Sequence, residues 1–200
     1  MIVHFEGLDL AGKSTVCRLF RENAPGNWNI RHNTMVEDNP IYELADRLRR
    51  DATNGDAMVG WLYHAALLYD LEKYVPPSDD IIQDSLILLR SLAFHSAIGT
   101  RGLTDQLELI IDHHPRFDHT FVLVADHQTR LARLAKRRKQ HLGPEDFLVL
   151  NDPERFYIMQ KLLIDYAIKH FGAVIIDSSG ELDASCLDNI FTHIPGMVRT

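Results

Sequence analysis

The 200-residue chain has only two cysteines, Cys17 and Cys186. They are too few for a disulfide scaffold and lack metal-ligand spacing, so a reducing compartment, the cytoplasm, is expected. No run approaches 18 consecutive apolar residues, which excludes an evident membrane span. Positive charge is in deficit: 21 Lys and Arg stand against 28 Asp and Glu, a formal net charge of −7. Such a chain is a poor general binder of duplex nucleic acid, and any anion it holds needs a local site. There is no repeat and no low-complexity segment. The start of the chain has neither a basic stretch nor a cleavage site, so no signal peptide is expected. With 46% apolar and 24% charged residues, the chain can bury a core, and one domain over 1–200 is expected.

Short apolar runs alternate with longer helical patterns. Strands are expected over 1–5, 29–36, 81–84, 120–125 and 173–177. Helices are expected over 13–22, 57–74, 89–98, 104–113, 128–140, 153–170 and 182–194, and another starts at Pro40, the residue favoured in a first turn. Five strands, each followed by helix, predict an α/β fold: a parallel five-stranded sheet with helices on both faces. Ligands bind such sheets at the carboxyl ends of the strands, where Glu6, Asp84 and Asp126 fall.

The segment GLDLAGKS over 7–14 fits G-x-x-x-x-G-K-[ST] at every fixed position. It follows a strand and opens a helix, the context in which that motif cradles phosphate. Gly7 and Gly12 let the backbone N–H groups of the loop, including Leu10 and Ala11, turn toward an anion, and the helix N-terminus adds positive potential. Lys13 reaches terminal phosphates, the Ser14 hydroxyl is a magnesium ligand, and Thr15 lies in the first helical turn. ATP and Mg2+ are therefore the expected cofactors. A guanine-reading N-K-x-D is absent, as is a long apolar strand ending in an acidic pair. Small size and a basic lid-like segment near 133–150 favour a small-molecule kinase over a switch GTPase or a mechanical ATPase.

Four blocks, in order, resemble the thymidylate kinase family. FEGLDLAGKST over 5–15 is similar to that family's F-E-G-x-(D/E)-x-A-G-K-(S/T)-(T). Asp84 with SLAF over 91–94 is similar to its D-R-(Y/F/H) followed by S-L-A-(Y/F). Val124-Ala125-Asp126 leading into Thr129, Leu131, Arg133 and Arg137 is similar to the strand and basic helix entering its lid. The strand ending at Asp177 is the fourth. The resemblance implies transfer of the γ-phosphoryl group of ATP. It assigns Lys13, Asp84, Arg133 and Arg137 to catalysis, Ser14 and Asp84 to magnesium, and Asp9, Arg90 and Phe94 to the acceptor side. It also implies a homodimer formed through helices, for which the apolar helix over 57–74 is available.

The departures lie on the acceptor side. The family arginine after the strand-end aspartate is Ser85 here. The run over 32–38 lacks the arginine of the family's R-E-P or F-P-x-R stretch. The family's base-stacking phenylalanine falls at His64 and its thymine-reading arginine at Leu68. Two explanations stay open. Arg31, Arg47, Arg49, Arg90 or Arg101 replaces the lost contacts and the acceptor is thymidylate, or the acceptor is another nucleotide, a nucleoside or a similar hydroxyl compound. A nucleotide-binding regulator without catalysis is the third possibility.

Other features have plainer readings. The basic run over 130–139 is a solvated helix face apart from Arg133 and Arg137. It lacks interleaved aromatics, so nucleic acid is not an expected partner. Asp112-His113-His114 and Asp118-His119 are poor metal sites, since adjacent side chains diverge. His4 and Cys17 are expected in the core. Trp61, Tyr63, Tyr69 and His95 face either the core or the acceptor pocket.

Overall fold

A computed structural model describes residues 1–51, 54–137 and 147–197. The chain runs β1 (Ile2–Glu6), α1 (Lys13–Asn23), β2 (Trp28–His32), α2 (Pro40–Arg49), α3 (Asp56–Lys73), β3 (Asp80–Asp84), α4 (Ile87–Ile98), α5 (Arg101–His113), β4 (His119–Val124), α6 (His127–Lys136), α7 (Leu148–Asn151), α8 (Pro153–Phe171), β5 (Val174–Asp177) and α9 (Cys186–Thr192). The five strands form one sheet in the order β2-β3-β1-β4-β5, and every pairing is parallel. The expected α/β class and sheet are therefore present.

Strand alternation divides the core in two. Val3 and Phe5 of β1, Ile82 of β3, and Phe121 and Leu123 of β4 face one layer with α1 and α9, where Phe20 and Ile190 complete the packing. Ile2, Ile81 and Val122 face the other layer, built from α3, α4, α5 and α8. A sheet covered on both faces explains why its strands read as nearly continuous apolar runs.

Three boundaries differ from expectation. The strand over 29–36 stops at His32, because Asn33 takes a left-handed φ of 61° and turns the chain. The helix over 182–194 contracts to α9, because the Asp183 carboxylate accepts hydrogen bonds from the Ser185 amide at 2.8 Å and hydroxyl at 2.6 Å. The helix over 128–140 ends at Lys136, because Arg137 takes an extended backbone with φ of −68° and ψ of 137°. Half of the expected lid near 133–150, residues 138–146, lies outside the described residues.

The sheet order places the carboxyl ends of β1 and β3 side by side, with Phe5 level with Asp84. The chain leaves β1 toward β2 on one side and reaches β4 on the other. This reversal opens a crevice above the sheet.

Candidate active site

The loop between β1 and α1 is held in shape from three directions. Gly7 and Gly12 have φ of 148° and 91°, and Leu10 takes a left-handed φ of 66°. A Cβ on Gly7 would lie 2.6 Å from the Leu123 carbonyl oxygen, so that position has no room for a side chain. The buried Glu6 carboxylate accepts the Gly7 N–H at 2.9 Å and the Leu86 N–H at 2.7 Å, tying the loop to the start of α4. Burial raises the Glu6 carboxyl, but His4, Lys13 and Arg90 together hold it below the ordinary glutamate value. Two arginines of α6 then grip the loop's outer carbonyls. Arg130 donates to the Asp9 carbonyl, to Ala125 O at 3.0 Å and to Gln160 Oε1 at 2.7 Å, with its guanidinium 4.8 Å from the Phe156 ring centroid. Arg133 donates to Leu10 O at 2.9 Å and to Gly180 O at 3.1 Å.

Inside the loop, Lys13 Nζ donates to Gly7 O at 2.6 Å. Its ammonium pKa is lowered, first by burial and next by the Arg90 charge, with Asp9, Glu6 and Asp84 opposing. Ser14 Oγ donates to Asp84 Oδ2 at 2.9 Å, and His32 Nδ1 lies 3.4 Å from the same oxygen. Burial raises the Asp84 carboxyl, but His32, Lys13 and Ser14 hold it below the usual aspartate range. The His32 imidazole is raised correspondingly, by its contact with Asp84. These groups line a polar cavity with Gly12, Thr15, Ser85 and Arg137. A hydroxyl and a carboxylate oxygen in contact are a hard-donor pair of the kind magnesium accepts, so Ser14 and Asp84 fit that ion.

A second cavity adjoins the first. Its walls are largely apolar and aromatic: Tyr42 from α2, Gly60 and Tyr63 from α3, Phe94 and His95 from α4, and Phe156 from α8. Asp9, Asn33 and Arg90 line both cavities. Arg90 Nη2 is 3.3 Å from both oxygens of Asp9. Burial raises the Asp9 carboxyl, and Arg90, then Lys13, Arg137 and Arg49, bring it below its ordinary value. One α2 face supplies Tyr42, Asp46 and Arg49 at helical spacing, with Arg49 Nη2 3.0 Å from Asp46 Oδ1. The loop over 33–39 is anchored by buried Asp70, which accepts the Met35 N–H at 2.7 Å and the Asn39 amide at 2.9 Å. Asn39 in turn caps α2, accepting the Tyr42 N–H at 3.0 Å.

No protein-family model and no curated protein matches the sequence. Solved structures match over nearly the whole chain. Thymidylate kinase from Candida albicans superposes with a TM-score of 0.67 at 18% identity, covering 96% of this chain and 90% of that one. Deoxyadenosine kinase from M. mycoides, solved with dCMP and dCDP, gives 0.63 at 20% identity, covering 96% and 97%. Thymidylate kinase from Ehrlichia chaffeensis gives 0.57 at 18%, covering 95% and 96%. This chain has the nucleotide-kinase fold.

On that kinase fold, the residues singled out in sequence separate into three groups. Asp9, Leu10, Gly12, Lys13, Ser14, Thr15, Asp84, Arg90 and Arg137 line the polar cavity, while Gly7 and Ala11 shape its loop. Phe94 lines the second cavity, as do Tyr63 and His95. His64 and Leu68 do not. Leu68 is 49% exposed, and His64 stacks edge-on against exposed Trp61. On α3 the residues that line this cavity are Asp56, Val59, Gly60 and Tyr63. Arg133 is also placed differently from a lid residue. Its guanidinium donates to the backbone carbonyls of Leu10, Ser178 and Gly180.

Two further corrections concern charge. Arg130, expected in solvent, is fully buried, and burial lowers its pKa to about 10. Its spacing of three residues from Arg133 is the sequence signal that both share one face. Asp126 does not face the crevice: it caps α6, accepting the Thr129 N–H at 2.6 Å. Of the replacement arginines, Arg49 and Arg90 reach the second cavity, while Arg31, Arg47 and Arg101 are not among its walls.

Proposed function

We propose that the protein is an ATP- and magnesium-dependent phosphotransferase that moves the γ-phosphoryl group to a nucleotide, a nucleoside or a similar small acceptor. One observation carries this: a polar phosphate-loop cavity and an aromatic-walled cavity meet at Asp9, Asn33 and Arg90. Donor and acceptor held in adjoining cavities supply the positioning that phosphoryl transfer chiefly requires. In this reading Lys13, Arg137 and the loop amides hold the donor phosphates. Ser14 and Asp84 hold magnesium, which when bound neutralises charge on those phosphates. Arg90 stands in for the family arginine lost at Ser85.

The acceptor side supports altered specificity. Tyr63 and Gly60 occupy the α3 face where a stacking and base-reading pair is otherwise expected. Cys17 and Cys186 are free thiols, which suits a reducing cytoplasm, and no described helix is long and apolar enough to cross a membrane. Met58, Trp61 and Leu68 are exposed apolar residues on α3, which suits pairing of two copies. Trp61→Glu is then expected to halve the mass seen in sedimentation.

The test is a screen for ATP consumption and phosphorylated product across nucleosides, nucleoside monophosphates and unrelated hydroxyl compounds. Transfer to at least one class is expected. Tight Mg·ATP binding with no product from any acceptor would instead assign a regulator. Efficient use of thymidylate would assign a thymidylate kinase with relocated contacts.

A further inference from the structure

Resting on the kinase reading above, we infer that the acceptor is an uncharged hydroxyl compound, not a monophosphate, and that Asp9 takes the hydroxyl proton.

The attacking oxygen must lie where the two cavities meet. Among the described residues the groups lining both are Asp9, Asn33 and Arg90. A monophosphate there would bring a charge of about −1.5 to −2 beside the donor phosphates. Among the described residues the one cation that lines both cavities is Arg90, already 3.3 Å from the Asp9 carboxylate; Lys13 and Arg137 line only the polar cavity, on the side of the donor phosphates. The wider acceptor cavity worsens the balance, because carboxylates Asp9, Asp46 and Asp56 outnumber guanidiniums Arg49 and Arg90. Arg49 is itself 3.0 Å from Asp46, whose other oxygen takes Arg50 from outside at 2.6 Å. His95 also lines that cavity, and burial lowers its imidazole pKa. An anion placed without cationic partners is costly, whereas a neutral sugar-like or aliphatic hydroxyl incurs no such cost.

Hydroxyl chemistry also gives Asp9 a task. A phosphate oxygen attacks as an anion and needs no base, but a hydroxyl must lose its proton as it attacks. The bond from acceptor oxygen to the γ-phosphorus forms while the bond from that phosphorus to the β,γ-bridging oxygen breaks. The hydroxyl proton passes to the Asp9 carboxylate, and ADP leaves with the bridging electron pair. Asp9 is itself paired with Arg90, but what separates it from the neighbouring carboxylates is the space it borders. Glu6 accepts two backbone N–H groups. Asp84 faces only the polar cavity, with Ser14 and His32 on one oxygen. Asp9 alone among the described carboxylates borders both cavities.

The experiment compares initial rates of transfer from γ-labelled Mg·ATP to nucleosides and to their 5′-monophosphates, in wild type, Asp9→Asn and Asp46→Asn. Wild-type kcat/KM is expected to favour the uncharged partner of each pair by at least about 100-fold. Asp9→Asn is expected to lower kcat on the hydroxyl acceptor by about 10²–10⁴-fold. Its Kd for Mg·ATP should stay within about threefold, and residual monophosphate transfer should not fall, because the change also releases Arg90. Asp46→Asn, which relieves Arg49, is expected to raise monophosphate kcat/KM about tenfold. Preference for monophosphates would overturn the inference and leave the kinase reading standing. Equal losses on both acceptors in Asp9→Asn would overturn the role of Asp9. Absence of transfer to every acceptor would overturn both readings.

Discussion

The polar and the aromatic-walled cavities, which we propose as donor and acceptor sites, are built on opposite principles. The first is built around the eight-residue loop over 7–14, which a motif encodes by spacing, with His32, Asp84, Arg90 and Arg137 completing its walls. The acceptor cavity is assembled from side chains on α2, α3, α4 and α8, separated by more than a hundred positions in the chain. Its walls depend on which face each helix turns inward, a property set by packing against the core. A motif can therefore announce the chemistry of one half while the other half changes its substrate without disturbing that motif.

The sharpest way to break this division is at Lys13. Lys13→Ala removes the donor-side ammonium, and turnover is expected to fall by at least about 10²–10³-fold with every acceptor. A steady-state assay that found near-normal rates would detach the loop from catalysis. Asp84→Asn comes next, with a fall in kcat of about 10²-fold and Mg·ATP affinity within a few-fold. Titration calorimetry beside kinetics separates those effects, and a loss confined to ATP binding would contradict the assigned role.

Gly60→Ala probes the acceptor half alone. Its Cβ would sit 2.4 Å from His95 Nε2 and 2.4 Å from Leu103 Cδ2, so overpacking of about 1–3 kcal/mol is expected. Acceptor KM should rise about tenfold while Mg·ATP binding holds, and an equal loss of both would join the two halves mechanically. Smallest of all, His64→Ala and Leu68→Ala should leave acceptor kinetics within about twofold, since neither side chain lines the cavity. A large KM change in either would return that residue to the acceptor site.

Legibility from sequence follows the same line. The phosphate loop was legible because G-x-x-x-x-G-K-[ST] fixes backbone geometry locally, and strand alternation gave the sheet. Asp84 was legible as a strand-end residue, yet the same reasoning misplaced Asp126, because an N-cap and a ligand both favour aspartate after a strand. His64, expected on the acceptor side, is one position from Tyr63, which lines the cavity: on a helix that is about 100° of rotation, enough to leave a cavity. Arg130 was missed because charge is a poor guide to burial when carbonyls and an aromatic face supply the partners. The anchoring of the 33–39 loop on Asp70 was illegible, since that contact spans over thirty residues.

Stability carries an independent check on the layer opposite α1. His114 is buried, donates Nδ1–H to Pro115 O at 2.8 Å, and is lowered by burial from 6.5 to about 4. Its folded-state pKa lies below the unfolded one, so the unfolded chain takes up its proton first as pH falls. Stability is accordingly lost between pH ~6.5 and ~4, by up to about 3 kcal/mol, and is unaffected above that window. Denaturant melts of His114→Phe should show a flatter acid limb, and an unchanged one would mean that the ring is solvated.

The central measurement is a crystal structure of the protein with Mg2+, a non-hydrolysable ATP analogue and an acceptor drawn from the screen. The polyphosphate should lie against the backbone N–H groups of residues 10–14 with Lys13 alongside, and the acceptor hydroxyl should lie between Asp9 and the γ-phosphorus. Density for the analogue outside the loop, or an acceptor seated away from Tyr63 and Phe94, would contradict the two-cavity arrangement at its root.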